Sequence, residues 1–273
     1  MKKIFSFLVI ITAFFCYSCE EVIPVDLNTA PPKLVIEAAI NWQKGTSGNI
    51  QKIKLSTTTG FYDATIPKVL GATVEIKNSL NVIFKFVEKP NTGEYICSNF
   101  VPVLNESYTL TVINKGSTYT AIETLKPVAP ITEIIQNNEG GISGKMKYIK
   151  TYFIDPANAS NYYLYKYSYS SPDKVEYYAD EDTFFQGNNF FSISRKDELK
   201  TGDKIVVSHF GISKAYYNYL NILINISGSA GGSPFQSPPA TVRGNIINST
   251  DFTNYPLGYF SLSESDTKNY TIE

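Results

Sequence analysis

Apolar residues recur at every second position from Leu34 onward. Leu34, Ile36, Ala38 and Ile40 alternate with less apolar neighbours, and Ile53 with Leu55, Val74 with Ile76, Val82 with Phe84 and Phe86, and Tyr108 with Leu110 and Val112 repeat the pattern. Successive side chains of an extended strand point to opposite faces, so this alternation predicts strands with one buried face. Turn chemistry separates the runs at Lys44-Gly45, Pro90-Asn91-Thr92-Gly93 and Asn114-Lys115-Gly116. Short strands at such spacing predict a β-sandwich.

Thr124 to Pro130 contains Pro127 and Pro130 and closes this block, which places a domain boundary between 126 and 127. The first β-sandwich domain is then 33–126 and a second β domain is 127–273. Strands are predicted in the second at Ile131 to Ile135, Lys145 to Phe153, Asn161 to Ser170, Phe190 to Ser194 and Lys204 to Ser208. Tyr163, Tyr165, Tyr167 and Tyr169 share one strand face, where aromatic residues suit a half-buried pleated surface. The period changes between Ser213 and Ser227. There Tyr216, Leu220 and Leu223 follow helical spacing, with Ser213 as N-cap and Gly228 as stop, which predicts one helix at about 213–227. Closing strands are expected at Thr241 to Ile247 and Leu257 to Leu262. The fold class expected is all-β, two β-sandwich-like domains, the second with one inserted α-helix.

The N-terminus carries a different signal. Lys2 and Lys3, an apolar run from Ile4 to Phe15, and small or polar residues before a cysteine have the layout of a secretory signal. The run is too short for a bilayer of roughly 30 Å, which needs about 20 apolar residues. Ser18 before Cys19 fits lipoprotein processing, in which 1–18 is removed and Cys19 receives the lipid. Residues 19–32 then form a lipidated tether. Glu20 and Glu21 follow at once and resemble an acidic export signal that moves lipoproteins to the cell surface. The expected location is the outer membrane, lipid-anchored and facing the exterior.

Composition narrows the chemistry. Of three cysteines, one leaves with the signal and one is acylated, so Cys97 has no partner for a disulfide and reads as a small buried hydrophobe. Lys and Arg total 24 against 25 Asp and Glu, without a basic block, which argues against nucleic-acid binding. His209 is the one histidine, so a hydrolase triad or a zinc site lacks its usual residues, and His209 reads as structural or surface. Asp180, Glu181 and Asp182 lack the glycine and distal glutamate of a calcium loop and read as a solvated loop. No metal, cofactor or catalytic residue is expected. Exposed aromatic rings stack on sugars and anchor interfaces, so Trp42, Tyr163, Tyr165 and Tyr167 are candidate ligand-binding aromatics; the alternative is that the tyrosines fill the core.

Several short stretches follow in order: Cys19 with its acidic followers, Lys33-Leu34-Val35-Ile36-Glu37, Gly71-Ala72-Thr73-Val74-Glu75-Ile76, Gly93-Glu94-Tyr95 and Tyr108-Thr109-Leu110-Thr111-Val112. Asp155-Pro156, Tyr216-Tyr217-Asn218-Tyr219-Leu220, Gly244-Asn245-Ile246 and Gly258-Tyr259-Phe260 continue the series. In this order they resemble a Bacteroidota lipoprotein family known as domain of unknown function 4249. The resemblance implies a first domain similar to transthyretin or carboxypeptidase regulatory modules and a second β domain with one helix. It also implies genes beside TonB-dependent outer-membrane transporters, and no catalytic residues. Asn248 to Tyr255 is longer than that pattern leads one to expect.

The function expected from these readings is a non-catalytic accessory or binding component associated with a TonB-dependent transporter and held to the membrane by its N-terminal lipid. A glycan-binding module or adhesin is the alternative. A cryptic carboxylate-based hydrolase, with two carboxylates about 5 to 10 Å apart in a cleft, is a third.

Overall fold

In the computed structural model, which describes residues 30–60, 62–140, 144, 146–170, 173–194, 199–227 and 242–273, the alternating runs form strands. They are β1 (Leu34–Gln43), β2 (Gln51–Thr57), β3 (Thr73–Asn78), β4 (Ile83–Lys89) and β6 (Ser107–Asn114). Two further strands, β5 (Glu94–Cys97) and β7 (Ser117–Thr124), complete the first sandwich. β4 turns its corner: Ile83 to Phe86 pair with β3, while Val87 to Lys89 pair with β5. The inward side chains Ile36, Ile40, Ile53, Leu55, Ile76, Leu110 and Val112 are fully buried, each worth about 1.5–3 kcal/mol of transfer free energy. Tyr95 and Tyr108, fully buried in the same core, bring their own partners. Tyr95 Oη donates to the Val69 carbonyl and accepts from the Ala72 amide, both at 3.1 Å. Tyr108 Oη donates to the Val101 carbonyl and accepts from the Val103 amide, both at 2.9 Å. Cys97 is buried, and burial pushes its thiol pKa up.

The second core lies between a continuation of the twelve-stranded sheet that also forms the first sandwich and a separate three-stranded sheet. One contains β10 (Tyr162–Ser170), β11 (Asp173–Glu181), β13 (Lys204–Ile212) and the far half of β15 (Leu257–Thr271). The other has the order β12 (Asn189–Ser194), β9 (Met146–Ile154), β8 (Ile131–Gly140). Tyr163, Tyr165, Tyr167 and Tyr169 all point into this core, beside Ile149, Phe153, Ile205 and Val207. One helix, α1 (Lys214–Ser227), follows β13. The fold is all-β with a single substantial helix among the described residues, as the periodicity predicts. None of the described helices is long and apolar enough to cross a membrane.

The closing strands differ from expectation. The first shrinks to β14 (Ile247–Asn248), while β15 extends to fifteen residues. The reason is that β15 serves both cores. Leu257 to Ser265 pair in parallel with β1, and Ser265 to Thr271 pair antiparallel with β13. Ile246, Phe260 and Leu262 thereby fill the first core, although they come from the C-terminal part of the chain.

The proline-containing segment after β7 is bound along this shared strand. Lys126 donates its amide to the Leu262 carbonyl at 3.3 Å and accepts from the Glu264 amide at 2.8 Å. The buried Glu264 carboxylate accepts from the Val128 amide at 2.9 Å and pairs with Lys44 at 2.8 Å. Asp266 accepts from the Ile131 amide at 2.7 Å. Gly211 is required opposite, because a β-carbon there would lie 1.8 Å from the Pro127 carbonyl oxygen. Side chains and backbone together thus fix the connection between the two cores.

Candidate functional site

Ser213 starts α1 as its N-cap, accepting from the Tyr216 amide at 3.2 Å, while its hydroxyl donates to Glu123 at 2.8 Å. The helix then lies across the outer face of the sheet. Tyr217 packs on Tyr162, with ring centres 5.3 Å apart. Tyr216 and Tyr219 cover Tyr259, at 4.6 and 4.7 Å.

Between α1, residues 242–245 and Tyr259 lies a groove of about 360 Å³, lined by Asn218, Tyr219, Ile222, Arg243, Asn245 and Tyr259 among others. Its far wall is held by two close contacts with β15. Gly244 sits where a β-carbon would lie 1.7 Å from the Gly258 carbonyl oxygen. Asn245 donates from Nδ2 to the Phe260 carbonyl at 2.8 Å and accepts from the Phe260 amide at 2.9 Å, taking the place of a neighbouring strand. Burial raises the pKa of Tyr216, Tyr219 and Tyr259, with the Glu123 charge adding to the last, so the phenols stay neutral. The groove therefore offers apolar ring faces with amide and guanidinium groups at its rim, a combination suited to binding and orienting a ligand.

At the end of the first sandwich where β1 and β15 begin, Tyr255 meets two cations. Lys33 Nζ lies 3.5 Å from its ring centre and the Arg243 guanidinium carbon 3.8 Å. Lys33 first, and Arg243 with it, lower the Tyr255 pKa. The loop carrying Tyr255 is the long stretch noted in the sequence. It is organised on buried Asn248, which accepts from the amides of Thr250 and Asp251 and donates to the Asn254 carbonyl.

The residues singled out in the sequence fall elsewhere. Tyr163, Tyr165 and Tyr167 are no stacking surface: the face they share is the core-facing one, and each is at most 1% exposed. Tyr163 Oη donates to Asp155 at 2.5 Å, and Tyr167 Oη donates to Thr151 at 3.3 Å. Trp42 is half-buried against the first core, its indole N–H donating to the Thr46 carbonyl at 2.8 Å. It is thus not brought together with the tyrosines. His209 is structural and fully buried, packed by Phe153, Tyr163 and Tyr165 at 4.5–4.9 Å. Burial pushes its pKa down to about 3; the Ala129 backbone opposes this in part, although neither ring nitrogen makes a hydrogen bond of ordinary geometry. Asp180, Glu181 and Asp182 are not a solvated loop. The first two end β11, and buried Asp182 opens a 3-10 turn while accepting from the Asn161 amide at 2.6 Å. Cys19, Glu20, Glu21 and the helix stop Gly228 lie outside the described residues.

The groove residues were partly visible. Tyr216, Tyr217 and Tyr219 announce a helix with aromatics on more than one face, and Arg243 is one of only two arginines in the chain. Their meeting with Tyr259 depends on the path of β15, which no local pattern encodes. Among the described residues no group of three or more His, Cys, Asp or Glu side chains is placed to hold a metal ion.

The sequence pattern of a family described as "Domain of unknown function (DUF4249)" matches residues 20–269. No curated protein matches the chain. Among solved structures it is similar to a cytokine receptor complex at 7% identity, with 68% of this chain and 86% of that one covered and a TM-score of 0.26. It is also similar to a two-domain fibronectin type III segment of chicken tenascin at 10% identity, 66% and 90% coverage and a TM-score of 0.23. A DUF4785 family protein from Legionella pneumophila shares 11% identity, with 65% and 52% coverage and a TM-score of 0.27. The architecture given above rests on the strand pairings of this chain alone.

Proposed function

We propose that the chain, which belongs to the family described as a domain of unknown function (DUF4249), is a non-catalytic binding component at the outer membrane, a reading supported by the lipoprotein-like layout of residues 1–19 in its sequence. In this reading Cys19 bears the lipid, Glu20 and Glu21 direct it to the cell surface, and it serves as an accessory of a TonB-dependent transporter. The observation that carries the binding role is the groove beside α1, where the Tyr219 and Tyr259 rings, Ile222 and Arg243 converge on one recess. A recess with apolar walls and a few fixed polar groups is the usual form of a ligand or partner site.

Crosslinking of intact cells followed by purification of the chain tests the assignment. The expected result is recovery of a TonB-dependent transporter, reduced by Tyr219→Ala and Ile222→Glu at unchanged protein level. Recovery of no transporter from the wild type would contradict it.

A second reading, a glycan-binding module, has a specific observation in its favour on the outer face of the three-stranded sheet. Tyr152 and Phe191 are directly paired there with ring centres 5.2 Å apart, and Lys150 Nζ lies 4.2 Å above Phe191. Retention on immobilised polysaccharide that is lost in Tyr152→Ala/Phe191→Ala would favour this reading over the first.

A further inference from the structure

The two ends of the first sandwich differ. One continues through β15 and residues 125–131 into the second core. At the other end three features meet. The chain enters there at Lys33, whose amide donates to Thr58 Oγ1 and whose carbonyl accepts from the Thr58 amide, both at 2.9 Å. The loop 58–72 leaves β2 at this end and carries Tyr62, 80% exposed, and Ile66, 56% exposed. The loop 249–256 precedes β15 at the same end and carries Tyr255 with the 71% exposed Phe252.

The charges at this end are out of balance locally. Lys33 and Arg243 both lie against the Tyr255 ring, yet among the described residues neither forms an ion pair with a carboxylate. A phenol ring attracts a cation, but two cations against one ring also repel each other, and an anion bridging them would remove that cost. Asp63 and Asp251, the nearby acids in sequence, are engaged locally with Thr59 and Thr253. Adjacent exposed aromatic rings add a second kind of affinity, since such rings favour the boundary between water and lipid.

We propose that this end of the first sandwich rests on the lipid headgroup layer, with Lys33 and Arg243 holding a headgroup phosphate and Phe252 and Tyr62 seated beside it. The proposal rests on the reading of Cys19 as the lipid anchor. Residues 20–32, even fully extended, reach only about 45 Å, so an anchored chain keeps this end within that distance of the bilayer.

Vesicle flotation with the full mature chain carrying Cys19→Ser tests the contact without the acyl chains. The vesicles are phosphatidylethanolamine with phosphatidylglycerol, or phosphatidylcholine alone. Wild-type surface residues are expected to give flotation with the anionic vesicles that weakens with added salt. Lys33→Ala/Arg243→Ala should lower the bound fraction about tenfold, Arg243→Lys should retain it, and Phe252→Ser should lower it on both kinds of vesicle. An unchanged melting temperature shows that each variant is folded. Equal flotation of the wild type and the double-alanine variant would overturn the proposal, as would competition by inorganic phosphate at the concentration of lipid phosphate, which would make the pair a site for the soluble anion. Acylation of Cys19 is read separately, by fatty-acid labelling of the unmodified protein. Labelling without flotation keeps the anchor and removes the headgroup contact; flotation without labelling does the reverse.

Discussion

The two cores solve the same problem with different chemistry. The first is largely aliphatic, and two of its buried tyrosines, Tyr95 and Tyr108, satisfy their hydroxyls on backbone groups of adjacent loops. The second is richer in tyrosine, and its tyrosines lean on side chains: Tyr163 on buried Asp155, Tyr167 on buried Thr151, Tyr169 on buried Ser194 and the partly buried Glu176. It also contains polar atoms without a hydrogen bond of ordinary geometry, Tyr165 Oη and both nitrogens of His209. Backbone partners are fixed by the fold, whereas side-chain partners must themselves be held in place by the packing around them. The second core should therefore be the more sensitive to substitution and to acid.

The largest effect is expected where the two meet. Gly211→Ala places a methyl group against the Pro127 carbonyl, forcing the connection away from β13. A loss of about 3 kcal/mol or more is expected in urea unfolding, and a near-neutral result would show that the junction yields easily. Asp155→Ala removes the acceptor for the Tyr163 hydroxyl and for the Gly187 amide and should cost about 3 kcal/mol.

Acid should act on the second core through His209. Its folded pKa of about 3 lies below its ordinary value of 6.5, so the unfolded chain binds the proton more readily. Stability is complete above pH 6.5 and falls as the pH drops from there toward 3, by at most about 1.4 kcal/mol per unit. Asp180 acts in the opposite sense, because burial raises its pKa and protonation relieves that penalty. Melting curves between pH 7 and 5 should show the decline for the wild type and a flatter response for His209→Phe.

Single hydroxyl deletions sharpen the contrast. Tyr95→Phe strands the Ala72 amide and the Val69 carbonyl and should cost about 1 kcal/mol. Tyr165→Phe removes a hydroxyl that has no such bond and should be neutral or stabilising by up to about 1 kcal/mol. Equal losses from both would erase the distinction between the two cores.

What was legible in the sequence follows the range of the interactions. Most strands of the first sandwich and the start of α1 at Ser213 are readable, because alternation and capping are local. β5, β7 and β11 are not, since β5 is four residues long, β7 buries only Tyr119 and Ala121, and β11, Asp173–Glu181, mixes charge with tyrosine. The tyrosine face of β10 is legible, but periodicity does not say which face points inward, and only the three-stranded sheet packed over Tyr163, Tyr165 and Tyr167 makes that face the core. The groove required knowing that β15 runs through both cores and brings Tyr259 under α1. The pairing of Lys33 with Arg243, over two hundred residues apart, had no local signature.

The most direct test of the proposed role is protease shaving of intact cells, comparing the wild type with Glu20→Ala/Glu21→Ala while fatty-acid labelling confirms that both are acylated. Cleavage of the wild type and protection of the variant is the predicted result, and it would direct the search for a transporter partner to the cell exterior. Protection of both, with acylation intact, would place the protein inside the envelope and contradict the surface role.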